Sequence, residues 1–531
     1  MASTIIRAAS VFDGSGAPPI CADVAVEGDR IAAIAPRLSE SAADVIQADG
    51  LALAPGFIDI HSHTDLTVFQ YPLAESKICQ GVTVEVTGNC GIGAFPVRPE
   101  RRQMLSEYLH LHGAHLPSGG LTWNTFSEYA EVLDGVGLGL NLVPLTAHAA
   151  LRMAAFGSDD RPPTASEHAA MRRLLAECLD QGAWGMSTGL IYPPGSFAEA
   201  EELIDLARVL AQRGKIYTSH IRGEGATLRP ALAEAVRVAR EGGARVQVSH
   251  LKALGQANWG QGVQALATLE EARAAGLDVA ADQYPYEATS TTLSAIVPAW
   301  AHAGGVDRLV ERLGAPDLAD RLRGEMGTLI AARGGPARIV IAGVGSGANR
   351  RVSGKSLAQL SGEWTVAPEE AARRLLREER GAVGAVYFSL SDEDVSAIMG
   401  CPWVAVGSDG QGVSAVASAE SLHPRSYGTF PRVLGHYVRE RRVLTLAQAI
   451  RKMTSLPAER LGLRDRGRLR PGFAADLVLF DPATVRDRAT FEHPHQYPEG
   501  IVHVFVNGRA VVRDGRITGE APGRVLRSRD A

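Results

Sequence analysis

Residues 53–63 read LAPGFIDIHSH, an apolar run that ends in two histidines separated by one residue. Side chains alternate between the two faces of a strand, so His61 and His63 are predicted to share one face at its carboxyl end. Seven later segments repeat this design, with an apolar body followed by polar or ionisable residues: VTVEVTGNC, LGLNLVPLTAH, AWGMSTGL, KIYTSHIRGE, RVQVSHLKA, DVAADQYPY and WVAVGSDG. Eight strands that end in such residues are typical of a (β/α)8 TIM-type barrel.

Amphipathic stretches rich in Ala, Leu, Glu and Arg separate these segments, most clearly at 166–181, 198–213, 227–241 and 263–275. Strands that alternate with helices predict repeated βα units around a parallel sheet, and therefore an α/β fold. The regular spacing breaks once, between the seventh and eighth strands. This break predicts an insertion at about 287–350, which we expect to form a lid over the barrel mouth.

The two ends of the chain differ from its middle in their pattern of apolar and turn-forming residues. Residues 1–55 contain short β-like runs divided by Gly, Pro and Asp turn signals, and residues 465–531 repeat this pattern. In the second region Asn507 and Gly508 signal a hairpin. We therefore expect both ends to build one small β-sandwich beside a barrel that spans 56–464.

Three further strands place a metal-binding residue type at the same end as the histidine pair His61 and His63. His220 closes IYTSH, His250 closes VQVSH and Asp409 closes VAVGSD. Imidazole, thiolate and carboxylate groups are the ligands that zinc prefers in proteins. A single strand histidine is more often a hydrogen-bonded core or surface residue, but the convergence of these donors predicts a metal centre.

Cys90 differs from the other cysteines in its sequence context. The five cysteines lie far apart and lack the paired spacing of a disulfide framework or a CxxC zinc site. Cys90, however, lies in TGNCGIG, where an apolar strand gives way to a Gly-rich loop. Such a thiol either packs as a small hydrophobic group or, once deprotonated, bridges two cations. The residues alone leave both interpretations open.

The composition excludes several classes of protein. Of the 531 residues, 45% are hydrophobic and 21% are charged, as in ordinary globular proteins and unlike disordered or fibrous chains. The 54 basic and 59 acidic residues give a net charge of -5 without a basic run, so we expect no nucleic-acid partner. No apolar stretch reaches roughly the 18 residues of a membrane span, and the N-terminus lacks a signal-like region. We therefore expect a cytoplasmic protein without a membrane partner.

Several long motifs, among them PGFIDIHSHTD, GVTVEVTGNCGIG, YTSHIRGE and HPRSYGTFPRVLG, strongly resemble those of the N-acyl-D-amino-acid deacylases (D-aminoacylases) of the amidohydrolase superfamily. The resemblance runs from residue 1 to about 520, and TGNCGIG and HPRSYGTFPR are specific to this branch. It implies hydrolysis of N-acyl-D-amino acids with one or two zinc ions. It also implies that Cys90, His220 and His250 hold the main ion, and that His61 and His63 line a weaker site.

The resemblance further implies that Asp409 is the catalytic acid/base and that the insertion is a mobile lid. Asp409 would take a proton from an activated water and pass it to the amide nitrogen, whereas a role as zinc ligand alone is the alternative. Tyr192, in GLIYPP, either donates a hydrogen bond to the developing oxyanion or packs against the lid.

A substrate with a free α-carboxylate needs cationic and hydroxyl partners near the metal. Lys252 comes two residues after the histidine of VSH, which predicts that it shares the face of that histidine. Tyr284 and Arg425 are further candidates. Lys252 has an alternative interpretation as a solvated strand-end charge, and Arg425 as a member of a loop salt bridge.

The start of the insertion, STTLSAIVPAW at 290–300, is apolar and contains no Arg or Lys. We therefore expect a preference for hydrophobic N-acyl-D-amino acids over N-acyl-D-glutamate or N-acyl-D-aspartate. The closest rival is a cyclic-amide hydrolase of the hydantoinase or dihydroorotase type, but such enzymes usually bridge their metals with a modified lysine, and the fourth strand AWGMSTGL contains none. A non-catalytic binding barrel is a third reading, which the complete ligand set disfavours. The oligomeric state stays open.

Overall fold

The structure, a computed structural model, describes residues 2–39, 41–416 and 423–528. The strands in chain order are β1 (Ala2–Val11), β2 (Ile20–Glu27), β3 (Arg30–Ala35), β4 (Ala42–Gln47), β5 (Ala52–Pro55), β6 (Phe57–Asp59), β7 (Val82–Thr87), β8 (Asn141–Pro144), β9 (Thr146–Ala147), β10 (Gly185–Gly189), β11 (Ile216–His220), β12 (Arg245–Val248), β13 (Val279–Gln283), β14 (Thr289–Thr292), β15 (Ile339–Val344), β16 (Val383–Tyr387), β17 (Val404–Val406), β18 (Leu477–Phe480), β19 (Ile501–Val506), β20 (Arg509–Arg513) and β21 (Arg516–Ile517).

The α-helices in chain order are α1 (Glu75–Ile78), α2 (Arg102–Leu111), α3 (Phe126–Asp134), α4 (His148–Ala155), α5 (Ala165–Asp180), α6 (Ala200–Ala211), α7 (Leu228–Gly242), α8 (Gln261–Ala274), α9 (Val306–Gly314), α10 (Ala319–Ala332), α11 (Leu357–Trp364), α12 (Pro368–Glu378), α13 (Asp392–Gly400), α14 (Arg425–Arg432), α15 (Leu446–Met453) and α16 (Ser455–Leu461). Within the described part of the chain, no helix has both the length and the apolar character to cross a membrane.

Each of the eight segments predicted as barrel strands contains a strand. They pair in parallel in the orders β6-β7-β8 and β9-β10-β11-β12-β13-β17. The two groups are joined where the Trp184 amide donates to the Pro144 carbonyl at 3.1 Å. The last strand meets the first where the Asp409 amide donates to the His61 carbonyl at 2.7 Å. The carboxyl ends of these strands therefore lie at one end of the molecule.

The four helices that the sequence predicts most clearly are present as α5, α6, α7 and α8. In α7 the buried residues include Leu232, Ala235 and Ala239, a spacing of three and four that keeps one helix face against the strands. The helix ends at Gly242 and is followed by Gly243, whose φ of 72° lies in the left-handed region that residues with side chains disfavour. Helical periodicity and a glycine stop signal together account for its bounds.

The insertion between β13 and β17 is longer than the predicted 287–350. It contains an antiparallel sheet in the order β14-β16-β15, so the unit that starts at Thr289 ends at Tyr387. Because β16 pairs with both β14 and β15, the chain must pass residue 350 before this sheet is complete. The insertion also has its own hydrophobic core, which includes Leu293, Met326 and Leu375.

Strands from both ends of the chain form a single nine-stranded sheet. Its order is β21-β20-β19-β18-β5-β1-β2-β3, with β4 also paired to β1. β18 lies antiparallel to β5, so residues 477–480 of the C-terminal region are bonded directly to residues 52–55. The barrel strand β6 begins two residues after β5, which connects this sheet to the first strand of the site.

Candidate metal centre

Six side chains predicted as site residues meet at the carboxyl ends of the parallel strands. They are His61 and His63 after β6, Cys90 after β7, His220 at the end of β11, His250 after β12 and Asp409 after β17. None of the six is more than 9% exposed. Residues that are up to 348 positions apart in the chain are thereby brought to one place because parallel strands end at the same edge.

The Cys90 thiol lies at the middle of this group. Its Sγ atom is 3.3 Å from Nε2 of His61 and 3.4 Å from Nε2 of His250. Two sets of potential ligand atoms, each with all members within 4.8 Å of one another, share this sulfur. One set contains His61, His63, Cys90 and Asp409, and the other contains Cys90, His220 and His250.

The backbone is bent at three of these positions. Cys90, His250 and Asp409 have φ values of 56°, 36° and 51°, in a region that non-glycine residues rarely adopt. Such conformations persist only where surrounding contacts hold them, and they concentrate at functional sites. The bend after β7 also requires close packing, since a Cβ atom on Gly189 would lie 2.0 Å from the Cys90 carbonyl oxygen.

The charges of the group favour a thiolate. Burial alone would raise the pKa of the Cys90 thiol, but the adjacent imidazoles of His61 and His250 outweigh it and hold the pKa well below its ordinary value. Burial likewise opposes protonation of His61, yet Cys90 and Asp282 keep its pKa well above the ordinary value. The negative charge of Cys90 and the positive charge of His61 therefore stabilise each other.

Asp409 is held in its ionised form by a cation on one side and an imidazole on the other. Its Oδ1 atom is 3.0 Å from Nε2 of His63, and its Oδ2 atom accepts a hydrogen bond from Arg425 Nη1 at 2.7 Å. Burial would raise the pKa of Asp409, but Arg425 and His250 keep it well below the ordinary value. Burial would lower the pKa of His63, but the hydrogen bond with Asp409 raises it to about 9.

The donor set fits a zinc ion, and unpaired nitrogens in the same place support that fit. Nδ1 of His220 and Nδ1 of His63 are buried and have no hydrogen-bond partner among the described residues. Nε2 of His220 likewise forms no hydrogen bond there, and its carboxylate neighbour, Glu224 Oε1, is 3.7 Å away. Buried polar atoms without partners are costly unless something absent from the protein chain satisfies them. A thiolate, several imidazoles and a carboxylate are the donor types that tetrahedral zinc sites use.

A cavity of about 1040 Å³ opens onto the centre. Its wall includes the site residues His63, Cys90, His220, His250 and Asp409. The insertion forms another part of the wall, through residues such as Ala295, Val297, Pro298, Leu329 and Tyr387. A small molecule in this cavity would therefore contact both the candidate metal ligands and the insertion.

Comparison with known proteins assigns the fold and the family. A family model described as the amidohydrolase family matches residues 44–512. The chain belongs to the amidohydrolase family. This amidohydrolase is 39% identical to an N-acyl-D-glutamate deacylase of Alcaligenes xylosoxydans xylosoxydans, over 99% of this chain and 96% of that protein. It is 37% identical to a D-aminoacylase of the same organism, over 98% and 97% of the two chains.

A solved relative agrees along the whole length. The crystal structure of N-acyl-D-glutamate deacylase from Bordetella bronchiseptica, complexed with zinc and a phosphonate inhibitor that mimics the tetrahedral intermediate, superposes with a TM-score of 0.84. The two chains are 36% identical, and each is covered to 99%. The resemblance drawn from the sequence motifs is thus confirmed, and the amidohydrolase has the TIM-barrel type of fold of the D-aminoacylases.

Sequence reasoning missed two acidic residues that contact the site histidines of the amidohydrolase. Asp282 Oδ1 lies 3.1 Å from Nδ1 of His61, and Glu224 Oε1 lies 3.2 Å from Nδ1 of His250. A carboxylate on one ring nitrogen orients the imidazole so that the other nitrogen can bind a metal. Asp282 lies in β13, one residue before its end, and Glu224 lies four residues after β11. In ADQYPY and SHIRGE these acids lack the recognisable spacing of the histidine pair.

Lys252, Tyr284 and Arg425, predicted to bind a substrate carboxylate, lie close together. Not all three line the cavity. Lys252 Nζ is 5.7 Å and Arg425 Cζ is 5.0 Å from the ring centre of Tyr284. Lys252 is buried, forms an ion pair with Glu224 and contacts Nδ1 of His250 at 2.8 Å. Of the three, Arg425 lines the cavity, whereas Lys252 and Tyr284 lie behind its described wall.

Lys252 turns away because the strand does not continue to it. β12 ends at Val248, and His250 has a φ of 36°, so the alternation of side chains that predicted a shared face is interrupted. The described wall of the cavity does not include Lys252, and its role in substrate binding stays a prediction. Lys252 instead meets the acid that contacts His250.

Tyr192 lies at the boundary between the centre and the insertion. Its ring is 5.2 Å from that of His220 in an edge arrangement, and its hydroxyl forms a 2.8 Å hydrogen bond with Oγ1 of Thr291 in β14. The side chain lines the cavity. Tyr192 could therefore either donate a hydrogen bond to the developing oxyanion or pack against the insertion. Its ring flanks the candidate ligand His220, and its hydroxyl reaches the insertion.

Proposed function

We propose that this amidohydrolase uses zinc to hydrolyse the amide bond of N-acyl-D-amino acids, releasing a carboxylate and a free D-amino acid. The observation that carries the proposal is the pair of donor sets that share the Cys90 sulfur at the floor of the cavity. Full-length similarity to D-aminoacylase and to N-acyl-D-glutamate deacylase supports this substrate class. Similarity to a zinc-bound deacylase supports the metal.

Cys90, His220 and His250 would hold the main zinc ion, and His61 and His63 would line the second site, with one or two ions bound. Zinc supplies Lewis-acid chemistry, which polarises a carbonyl oxygen and lowers the pKa of water towards about 7. Cys90 contributes a thiolate that is already stabilised by its neighbours. Asp282 and Glu224 orient the imidazoles that they contact.

Asp409 would act as the acid/base. Because Arg425 keeps its pKa low, the carboxylate is ionised and ready to accept a proton from the attacking water. The same carboxylate then delivers the proton to the amide nitrogen, which leaves as the amine. Asp409→Asn preserves shape and removes basicity, and we expect turnover to fall by about 100-fold or more with metal content unchanged. Turnover within a few-fold of wild type would instead leave Asp409 the role of a ligand.

The substrate α-carboxylate would approach Arg425, with Tyr284 and Lys252 behind it. The Tyr284 hydroxyl is buried and lacks a hydrogen-bond partner among the described residues, so it is available to a ligand that reaches it. Tyr192 would donate a hydrogen bond to the oxyanion that develops from the amide carbonyl. If Lys252→Ala leaves the apparent substrate affinity unchanged, Lys252 serves His250 and Glu224 rather than the substrate.

A preference for hydrophobic side chains is also part of the proposal. The insertion contributes Ala295, Val297 and Pro298 to the cavity wall, as expected from its apolar start. The described wall contains four arginines, of which Arg222 pairs with Glu234 and Arg333 donates to backbone carbonyls. Arg425 donates to Asp409, so Arg350 of the insertion is the cation that an acidic substrate side chain could meet. Relatives that act on N-acyl-D-glutamate and N-acyl-D-aspartate make this preference a specific point to test.

The proposed architecture is a closed (β/α)8 barrel at 56–464, flanked by a small β-sandwich from 1–55 and 465–531. It is supported by the hydrogen bond from Asp409 to His61, which links the first and last strands, and by the sheet that contains both ends. The inserted unit would act as the lid.

The decisive experiment measures amine release from a panel of N-acetyl D- and L-amino acids by purified, metal-analysed protein. We expect hydrolysis of the D-enantiomers, strongest for N-acetyl-D-leucine and similar hydrophobic substrates. N-acetyl-D-glutamate and N-acetyl-D-aspartate test the side-chain preference, and hydantoin and dihydroorotate test the cyclic-amide alternative. Hydrolysis of the cyclic amides without the linear D-substrates would overturn the proposal.

A further inference from the structure

A buried charge cluster lies beneath the metal centre, at residues that have no role in the reaction proposed above. Lys77 Nζ is 2.8 Å from Asp59 Oδ2, 2.7 Å from Glu85 Oε1 and 2.7 Å from Ser408 Oγ. All four side chains are 0% exposed. We refer to Lys77, Asp59, Glu85 and Ser408 as the Lys77 cluster.

The Lys77 cluster joins three parts of the barrel that carry the site. Asp59 ends β6, Glu85 lies in β7, Lys77 lies in α1 between them, and Ser408 follows β17. Buried ions carry a large desolvation cost, and apolar residues can replace such a group without loss of stability when only stability matters. Stability alone therefore does not explain why these charged residues are buried here. The contacts of Ser408 suggest another role.

Ser408 connects the cluster to the turn that presents Asp409. Its hydroxyl donates to Asp59 Oδ2 and accepts from the Gly410 amide at 3.0 Å, while its own amide donates to Asp59 Oδ1 at 2.8 Å. Lys77 Nζ also lies 3.3 Å from the Gly410 carbonyl. Both neighbours of Asp409 are thus anchored to buried charges.

The turn needs such anchoring because Asp409 has a φ of 51°. This conformation is less favourable than the right-handed one for any L-residue, so it persists where surrounding contacts hold it. A small rotation of the turn would move the carboxylate away from His63 and Arg425 and away from the reacting atoms. Misplacement of a catalytic group by about 1 Å can reduce a rate about 100-fold.

We propose that Lys77 and Ser408 are positioning residues that hold the Asp409 turn in its strained, productive conformation. The inference rests on the proposed role of Asp409, but it makes a separate claim about the geometry of residues 408–410. The cluster acts through hydrogen bonds to that turn and does not contact the substrate cavity, whose described wall includes none of its four members.

The test compares Ser408→Ala with Ser249→Ala. Ser249 is a matched control because it is buried and directly precedes His250, as Ser408 directly precedes Asp409, and its hydroxyl has no hydrogen-bond partner among the described residues. We expect Ser408→Ala to lower kcat by about 10- to 100-fold, with KM and zinc content within about twofold of wild type. Ser249→Ala is expected to leave kcat within about twofold. Equal kcat values for the two variants, or loss of zinc from Ser408→Ala in proportion to its activity, would overturn the proposal.

A second readout is independent of catalysis. Amide hydrogen exchange in a peptide that contains residues 408–411 should accelerate at least about tenfold in Ser408→Ala and stay unchanged in Ser249→Ala. The same acceleration is expected in Lys77→Met if that variant folds. An unchanged exchange rate in Ser408→Ala would overturn the positioning role of Ser408, whatever the kcat of that variant. If hydrogen exchange accelerates in Ser408→Ala while the wild-type protein hydrolyses none of the tested amides, that result would support the positioning role of Ser408 and refute the proposed function.

Discussion

Arg425 donates a hydrogen bond through Nη1 to Oδ2 of Asp409 at 2.7 Å, and both side chains are buried. The second guanidinium nitrogen, Nη2, donates to the Ser290 carbonyl in β14 at 3.0 Å. A single arginine therefore links the proposed acid/base to the first strand of the inserted unit. This contact fixes the charge state of Asp409 and gives the first prediction.

Removal of Arg425 should move the pH dependence of the reaction. In the wild-type protein the pKa of Asp409 is well below its ordinary value, so the base is ionised across the neutral range. In Arg425→Gln, burial is no longer offset by this cation, and the pKa of Asp409 rises. The acidic limb of kcat/KM should then shift to higher pH by about one unit or more.

The matched control for this shift is Arg432→Gln. Arg432 lies in the same helix as Arg425 but pairs with Asp487 and donates to the Pro285 carbonyl. Its variant should retain the acidic limb of the wild type. An acidic limb that is identical in Arg425→Gln and wild type would show that Arg425 does not control Asp409.

Cys90→Ser should remove most of the bound zinc. A hydroxyl is a poor substitute for a thiolate that serves two donor sets, so we expect zinc content to fall and kcat/KM to drop by at least about 100-fold. Cys178→Ser is the control, because Cys178 is also buried but lies in α5 away from the donors. Metal analysis after dialysis measures the effect, and wild-type zinc content in Cys90→Ser would contradict the shared role of the sulfur.

Tyr192 and Thr291 should behave as one unit in a double-mutant cycle. If the 2.8 Å hydrogen bond with Thr291 directs the tyrosine hydroxyl to the oxyanion, Tyr192→Phe lowers kcat about 100-fold and Thr291→Val lowers it less. The double variant should then be no slower than Tyr192→Phe alone, because the threonine acts through the hydroxyl. Wild-type kcat in Tyr192→Phe would show instead that the ring only packs against the inserted unit.

Lys452 should make the free energy of unfolding depend on pH. It lies in α15, is 2% exposed and donates to the Cys401 carbonyl; burial lowers the pKa of its ammonium to about 7. Between that value and 10.5 the unfolded chain holds a proton that the folded protein has released, so Lys452 costs stability most below pH 7 and the cost declines as pH rises to about 10.5.

Lys452→Met should therefore raise the free energy of unfolding by at least about 1 kcal/mol at pH 6.5, with a smaller gain at pH 9.5. Denaturant unfolding at the two pH values measures both gains. Lys355→Met is the control, since Lys355 is partly exposed and pairs with Glu363 at the surface. A gain for Lys452→Met that grows with pH would contradict the account of its burial.

The sequence predicts the parts of the site that depend on strand periodicity. His61 and His63 are recognisable because alternation puts them on one face, and His220, His250 and Asp409 because each closes an apolar run. Parallel strands then bring these ends together without any further information. The thiol of Cys90, ambiguous in the sequence, lies within 3.4 Å of two of these histidines in the structure.

Other features depend on backbone geometry that periodicity does not encode. The left-handed turn at His250 rotates Lys252 towards Glu224 and defeats the alternation argument. Lys77 reads as an ordinary charge of a short helix, because its two acidic partners are distant or hidden within strands. The inserted unit extends to Tyr387 because β16 pairs antiparallel with β14 and β15, and a break in strand spacing along the sequence does not reveal such a long-range pairing.

In the proposed centre, Cys90 contributes its sulfur to a zinc ion that the strand-end histidines also bind. X-ray absorption at the zinc edge of the purified, zinc-loaded protein identifies the atoms that surround this ion. We expect one sulfur neighbour at about 2.3 Å together with imidazole nitrogens at about 2.0–2.1 Å. A zinc environment that contains nitrogen and oxygen neighbours but no sulfur would show that Cys90 is not a zinc ligand.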